Sequence, residues 1–293
     1  MAVTHRRIAA PGTRPRRLRA GQAWMHVVLL ILLALTLYPI LLVVFDSLKT
    51  PLQYQYERWG VSLPIRLDNY TNAWGQVGVF MLNTTIVAAT TTVGILALSL
   101  VGGYVFARLR FPFREPLYYV IIALLMIPAI LSFVPQYVMY KNFGLLDNLL
   151  VLIVPGIAGG QVFGIFLLRT FIANLPDELY DAAAVDGAGW YSLIFRITLP
   201  LTLPVLAVLT VFNVVGQWNS FLWPLVAITN SSSQVISVGL FGLQQQVAQD
   251  ATNYGNYGPL YAGYIIASVP LVILFVFLGK FYVEGLVSSG LKL

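Results

Sequence analysis

The side chains available for chemistry are few. There is no Cys and the only imidazoles are His5 and His26, so disulfides, thiolate metal clusters, thiol catalysis and zinc sites lack their groups. The lysines are Lys49, Lys141, Lys280 and Lys292, and none follows the glycine spacing of a phosphate-binding loop, so the chain does not hydrolyse ATP by itself. Carboxylates and amides remain. Asp177, Glu178 and Asp181 follow Pro176, where negative charge meets the positive end of a helix dipole, and Gly187 with Gly189 supplies a stop. Between them Ala182, Ala183 and Ala184 leave a bare flank over which another protein's backbone can approach closely. The chemistry this suits is docking and pushing. A helix that merely lies on lipid expects basic residues on its polar face, whereas this one is acidic. The second group is Gln136, Gln161 beside Gly159 and Gly160, Asn213, Gln217 and Asn219, with Trp218 among them. Amides inside apolar runs either bond across helices or line a water-filled path, and both readings stay open here; Trp218 and Trp223 also suit an interfacial belt.

The elements that carry these residues belong in a membrane. The chain of 293 residues is 58% hydrophobic and 10% charged, against roughly 25% charged in a soluble domain. Six apolar runs are predicted to span: 23–45, 81–107, the interval between Glu115 and Lys141, the interval from Asp147 to Arg169, about 201–228, and 260–278. Continuous runs of this kind exclude an outer-membrane barrel, whose strands alternate. The predicted fold is therefore all-α and polytopic. Pro39, Pro128, Pro135 and Pro270 are expected to mark kinks.

Charge fixes the expected orientation. With the N-terminus inside, thirteen Lys and Arg face the cytoplasm and four (Lys49, Arg58, Arg66, Lys141) face outward, so both termini are predicted to be cytoplasmic. Residues 1–22 form an Arg-rich tail, with Arg6, Arg7, Arg14, Arg16, Arg17 and Arg19 and no acid in its first 20 positions. The rest of the chain carries as many acidic as basic groups, which argues against a nucleic-acid partner and leaves the tail a role in topology and anionic-lipid contact. The first apolar run exceeds a secretory signal core and no small-residue cleavage site follows, so it is read as an uncleaved span. Residues 23–293 make up the membrane domain. On its external side, 47–80 is expected to include a short amphipathic piece near 67–74. The 229–259 segment is read as an external docking loop, a polar loop wrapped around the apolar stretch 235–243.

Residues 174–200 resemble the signature of the membrane subunits of bacterial ATP-binding-cassette (ABC) importers: Glu-Ala-Ala, three residues, Gly, nine residues, Ile-x-Leu-Pro. Ala182, Ala183, Gly187, Ile197, Leu199 and Pro200 stand at the required spacings, and Asp181 replaces Glu, keeping the charge with a shorter reach. In such importers this loop is a coupling helix seated on a cytoplasmic ATPase. Residues 217–225, Gln-Trp-Asn-Ser-Phe-Leu-Trp-Pro-Leu, resemble the Trp-Asn-x-Phe-Leu-Trp-Pro element of maltose-type carbohydrate permeases. The end of the chain, 280–292, resembles the Phe-x-x-Gly-Leu-x-x-Gly-x-Val-Lys ending of the smaller of their two permeases, with Leu291 in place of Val. The resemblance places Gly285, Leu286, Gly290 and Lys292 in a tail that faces the ATPases.

The resemblance implies a type I ABC importer permease fold in a bacterial cytoplasmic membrane. It also implies a second permease, two ATPase copies that supply ATP and Mg, an external solute-binding protein and a sugar as substrate, with no cofactor in this chain. An ABC permease for amino acids, metals or phosphonates would share the coupling loop but lack the Trp-Asn element. A membrane channel would have no use for the docking helix. Ion-driven carriers usually need an ionisable group inside a span, and none of the six runs holds a carboxylate.

Overall fold

In hydrocarbon each segment must satisfy its own backbone, and the chain does so with helices. The structure, a computed structural model, describes residues 20–250 and 255–290, with side chains described for 23–250 and 255–279. The Arg-rich tail, the 251–254 part of the polar segment and Lys292 thus lie outside the described residues.

Helix α1 (Ala20–Ser47) runs along the flank of the last helix and buries none of its most apolar stretch. A short α2 (Pro51–Tyr56) follows, started by a capping box in which the Thr50 hydroxyl accepts from the Gln53 N–H and the Gln53 side chain accepts from the Thr50 N–H. Helix α3 (Asp68–Arg108) is 41 residues long, about 60 Å at 1.5 Å per residue. The expected amphipathic piece near 67–74 is not separate: it forms the first turns of α3. Those turns are held against the end of α1 by Asn69, whose amide donates to the Ser47 and Lys49 carbonyls.

The third expected span is broken. Helix α4 (Arg114–Ala123) and helix α5 (Phe133–Asn142) are extended by 3-10 turns to Arg114–Met126 and Ala129–Asn142, and the two limbs meet at 89°. The cause is local: Ile127 precedes Pro128, and a residue before proline is driven into extended backbone, here φ −81 and ψ 116.

Helix α6 (Leu150–Ala173) packs along α3 more extensively than any other pair. Small residues allow it. A Cβ on Gly103 would stand 2.7 Å from the Leu168 Cβ and 3.2 Å from the Arg169 backbone N, and one on Gly164 would collide with the Ser99 side chain. Helix α7 (Asp177–Val185) then turns out of the bundle, and α8 (Trp190–Ser192) leads through a π-helical stretch, Leu193–Thr198, into α9 (Leu199–Trp218). The helix therefore runs unbroken from Trp190 to Trp218, rather than starting anew at Pro200. Pro200 follows directly on the π-helical stretch, where the ordinary ladder is already altered. The fifth span ends sooner than predicted: the chain breaks at Asn219 to Phe221 before the six-residue α10 (Leu222–Ala227).

The remaining polar segment is largely helix α11 (Ile236–Gln249), and α12 (Tyr257–Gly290) completes the chain. Among the described residues five helices are long and apolar enough to cross a membrane, or six if the bent α4/α5 pair is one span.

Candidate functional site

Helix α7 grows from its sequence. Pro176 precedes it in extended backbone, Asp177 and Glu178 occupy the first turn, and Tyr180 is the side chain that it buries. Its end is a Schellman cap: the Gly187 N–H donates to the Ala184 carbonyl (3.0 Å) and the Ala188 N–H to the Ala183 carbonyl (2.9 Å). That cap needs left-handed backbone, and Gly187 supplies it at φ +78. Asp181, Ala182, Gly187 and Pro200 are exposed, Ala183 is half-buried, and Ile197 and Leu199 turn inward against a core that includes Tyr180 and Leu206. The predicted motif is thus divided between a displayed corner and its footing. Sequence reasoning missed the apolar part of the corner. Val185 is 88% exposed, with Trp190 and Tyr191 also in the open. Large apolar side chains beside a predicted helix corner were the available signal.

It also missed what holds α7. Arg108, in the last turn of α3, pairs with the Asp177 carboxylate. Its Nη2 donates to the carbonyls of Ile172 (2.8 Å) and Leu175 (2.6 Å), and its guanidinium lies 4.1 Å over the Tyr180 ring. The Tyr180 hydroxyl meets Thr198 Oγ1 at 3.1 Å, and because Thr198 donates to the Leu193 carbonyl (2.9 Å), Tyr180 is the donor. Close by, Arg169 Nη2 donates to both carboxylate oxygens of Glu115 at 2.8 Å, and the guanidinium lies 3.7 Å over the Tyr118 ring.

The six predicted pathway residues separate. Gln136 and Gln217 line one cavity of about 230 Å³ with Thr84, Ser132, Ser220 and Trp223, beneath the bend between α4 and α5. Trp218 and Asn219 border a second, more open groove of about 430 Å³ with Phe241, Gln244, Tyr264 and Ser268. Neither lining contains a charged residue. Trp218 also ties helices together, its indole N–H donating to the Ala267 carbonyl at 3.1 Å. Asn213 and Asn219 donate to carbonyls of their own helix, Leu209 at 2.8 Å and Val215 at 2.9 Å. Gln161 makes one long contact with Ala158 (3.5 Å), and neither it nor Asn213 borders either space. Gly285, Leu286 and Gly290 fall in the stretch of α12 where only the backbone is described.

Residues 99–286 match the family described as binding-protein-dependent transport system inner membrane component. The chain belongs to that family. The diacetylchitobiose uptake system permease protein NgcG of Streptomyces coelicolor is 31% identical over 274 residues, covering 93% of this chain and 89% of the relative. The arabinooligosaccharides transport system permease protein AraQ of Halalkalibacterium halodurans is 29% identical over 88% of this chain and 92% of its own. The sn-glycerol-3-phosphate transport system permease protein UgpE of Yersinia pestis is 29% identical over 92% and 98%. Among solved structures, a bacterial ABC transporter involved in the import of the acidic polysaccharide alginate superposes with a TM-score of 0.77, over 92% of this chain and 99% of that one at 20% identity. At that identity the likeness establishes the fold, that of an ABC importer permease. The chain is accordingly a multi-pass inner-membrane transport subunit and not an enzyme.

Within this inner-membrane component the 229–259 segment is less free than its polarity suggested. Val235, Ile236, Val238 and Leu240 are buried in cores shared with α3, α6, α9 and α12, and Gly239 lies against the Phe80 ring. Most of the apolar stretch offered for docking is spent inside the chain. Asp147 fastens the start of the segment. Its carboxylate accepts from the backbone N–H of Thr229 (2.6 Å) and Asn230 (2.8 Å), and these bonds hold its pKa below the ordinary carboxylate range. The exposed polar face of α11, Gln244 to Gln246, remains available.

Proposed function

We propose that this chain is one of two permease subunits of an ATP-driven sugar importer, oriented with α7 and both termini in the cytoplasm. It pairs with a similar but different permease to enclose the solute path. Two copies of a cytoplasmic ATPase, which bind ATP and Mg, seat α7 between Asp181 and Gly187, and the tail with Gly285, Leu286, Gly290 and Lys292 reaches toward them. An external solute-binding protein delivers the sugar to the face that carries α11. The observation that carries this reading is the displayed corner of α7, acidic, alanine-flanked, closed by Gly187 and fringed with exposed Val185, Trp190 and Tyr191. The clustering of Arg108, Arg114 and Arg169 at the α7 end supports the cytoplasmic orientation. ATP-driven closure then shifts the permease between inward and outward states by binding those states unequally.

The uptake of diacetylchitobiose and arabinooligosaccharides by relatives supports a carbohydrate as substrate. One relative carries sn-glycerol-3-phosphate, a charged solute. The two cavities near the predicted pathway residues offer amides, hydroxyls and aromatic faces with no cation to meet a phosphate, which favours a neutral sugar. Gentle detergent extraction from the native membrane, mass spectrometry of co-purifying chains and an ATPase assay test the assembly. Recovery of an ATPase subunit and a second permease is the expected result; a chain that elutes alone or as a homo-oligomer with no ATPase activity overturns it.

A further inference from the structure

We infer that Arg108 and Tyr180 are positioning residues that convert movement of α7 into movement of α3, α6 and α9. This rests on the reading of α7 as the ATPase-facing helix. The argument begins with what a nine-residue helix can do by itself. Helix α7 leaves the bundle through Leu175 and Pro176 and returns through Gly187 to Gly189. A force on its exposed side would only swing it about those ends unless its inner side were tied to the spans.

The ties are made by two side chains. Arg108 lies in the last turn of α3, and its guanidinium is shared three ways. One nitrogen pairs with Asp177, the first residue of α7. Another takes the carbonyls of Ile172, in the last turn of α6, and of Leu175, just beyond its end. The plane covers the Tyr180 ring at 4.1 Å. The guanidinium therefore joins the ends of α3 and α6 to the start of α7. A lysine would bring the charge without the planar fork that reaches both carbonyls and Asp177 together.

Tyr180 carries the second tie. It is the buried residue of α7, its ring packs beside Tyr104 of α3, and its hydroxyl donates to Thr198. Thr198 is fully buried and ends the π-helical stretch that opens the long helix through α9. A π-helical turn bonds i→i+5 instead of i→i+4, and such turns recur at functional positions. Helix α7 thus grips the one stretch of that helix where the ordinary hydrogen-bond ladder is already altered. The four elements held by these two side chains include the two spans that pack most closely together, α3 and α6.

The test uses the whole transporter, purified with its partner subunits. The sequence has no Cys, so spin labels can be placed at Leu131→Cys and Leu222→Cys. Both positions are exposed, on the broken span and on α10, at the other end from α7. The distance between them is measured by pulsed electron resonance, without nucleotide and after trapping with Mg-ATP and vanadate. The unaltered chain should show a nucleotide-dependent shift. Arg108→Ala and Tyr180→Phe should lose most of that shift while the complex continues to hydrolyse ATP, and Arg108→Lys should keep an intermediate share. ATP hydrolysed per solute imported should rise by about 2- to 30-fold in Arg108→Ala, the range that couplings of this kind span. A residue that only stabilised the fold would lower assembly, hydrolysis and shift together, leaving the ratio unchanged, and that result overturns the proposal. Tyr180→Phe removes a single oxygen, so its wild-type shift would overturn the Thr198 link even if Arg108→Ala failed to assemble. No shift in the unaltered chain would instead sink the ATPase-facing reading, and the proposal with it.

Discussion

Gly187 offers the sharpest separation between a local strain and a docking surface. At φ +78 it sits where an L-residue pays about 1–2 kcal/mol, and a Cβ built on it meets nothing within 4 Å. Gly187→Ala should therefore cost only the backbone term. A loss of about 1 kcal/mol makes the cap open roughly fivefold more often. Gly187→Asn should stay close to the parent, since Asn enters left-handed backbone more readily. Gly187→Arg carries the same strain as Ala, and its long charged side chain enters the open space at the corner that a partner would occupy. In the purified chain without partners, thermal melting should rank Asn above Ala, with Arg level with Ala. In the reconstituted transporter the order changes: Arg should lose nearly all uptake while ATP hydrolysis persists, and Ala should keep a substantial fraction. If Arg and Ala transport equally, the corner meets no partner. If Asn melts as low as Ala, the left-handed backbone is not the source of the cost.

Two other expectations concern stability. Asp147→Asn keeps one acceptor oxygen but removes the charge that strengthens the bonds from the Thr229 and Asn230 amides, and should lower the melting temperature at pH 7. Because the folded pKa lies below the unfolded value of about 3.9, that contribution is complete above about pH 5 and lost as pH falls through the folded value. Parent and variant melting curves should therefore converge in acid, and a gap that persists there would refute the assignment. Gly164→Val forces a side chain into Ser99 and should destabilise by about 1–3 kcal/mol, whereas Gly159→Ala, on the same helix with open space around it, should be neutral or stabilising in the same melting assay.

The spans were legible because an unbroken apolar run has few alternatives in water or lipid, and α7 was legible because Pro176, the acidic turn and Gly187 are punctuation with a fixed structural meaning. Other features depended on information that sits far away in sequence. Pro128 announced a bend, but not that the two limbs would meet at 89°. Arg108 reads as one of thirteen basic residues marking the inner side; that it grips Asp177 and Tyr180 is visible only once α3, α6 and α7 converge. The α11 misreading is different, because the signal was present. Ile236, Leu240, Leu243 and Val247 recur at helical spacing, and the run of glutamines at 244–246 concealed the period by lying on its other face.

The division of the chain into stiff and breakable parts follows from the same residues. Helices α3 and α6 are joined through glycines at contact distances that leave no slack, so they move as a unit. Two interruptions lie elsewhere, at Ile127 before Pro128 and at Asn219 to Phe221, and Ala129 just after the first and Ser220 within the second line the cavity that holds Gln136 and Gln217. Trp223 connects them. Its ring meets Phe133 of α5 edge-on at 5.3 Å, and its indole N–H donates to the Val151 carbonyl of α6 at 2.9 Å. Any rearrangement that opens this cavity must therefore bend the chain at its two breaks and either carry Trp223 along or release it from α6. A helix interior resists such bending, whereas a break before proline has already given up its ladder. The amides thus lie where the backbone can yield, and Arg108 attaches α7 to the part that cannot.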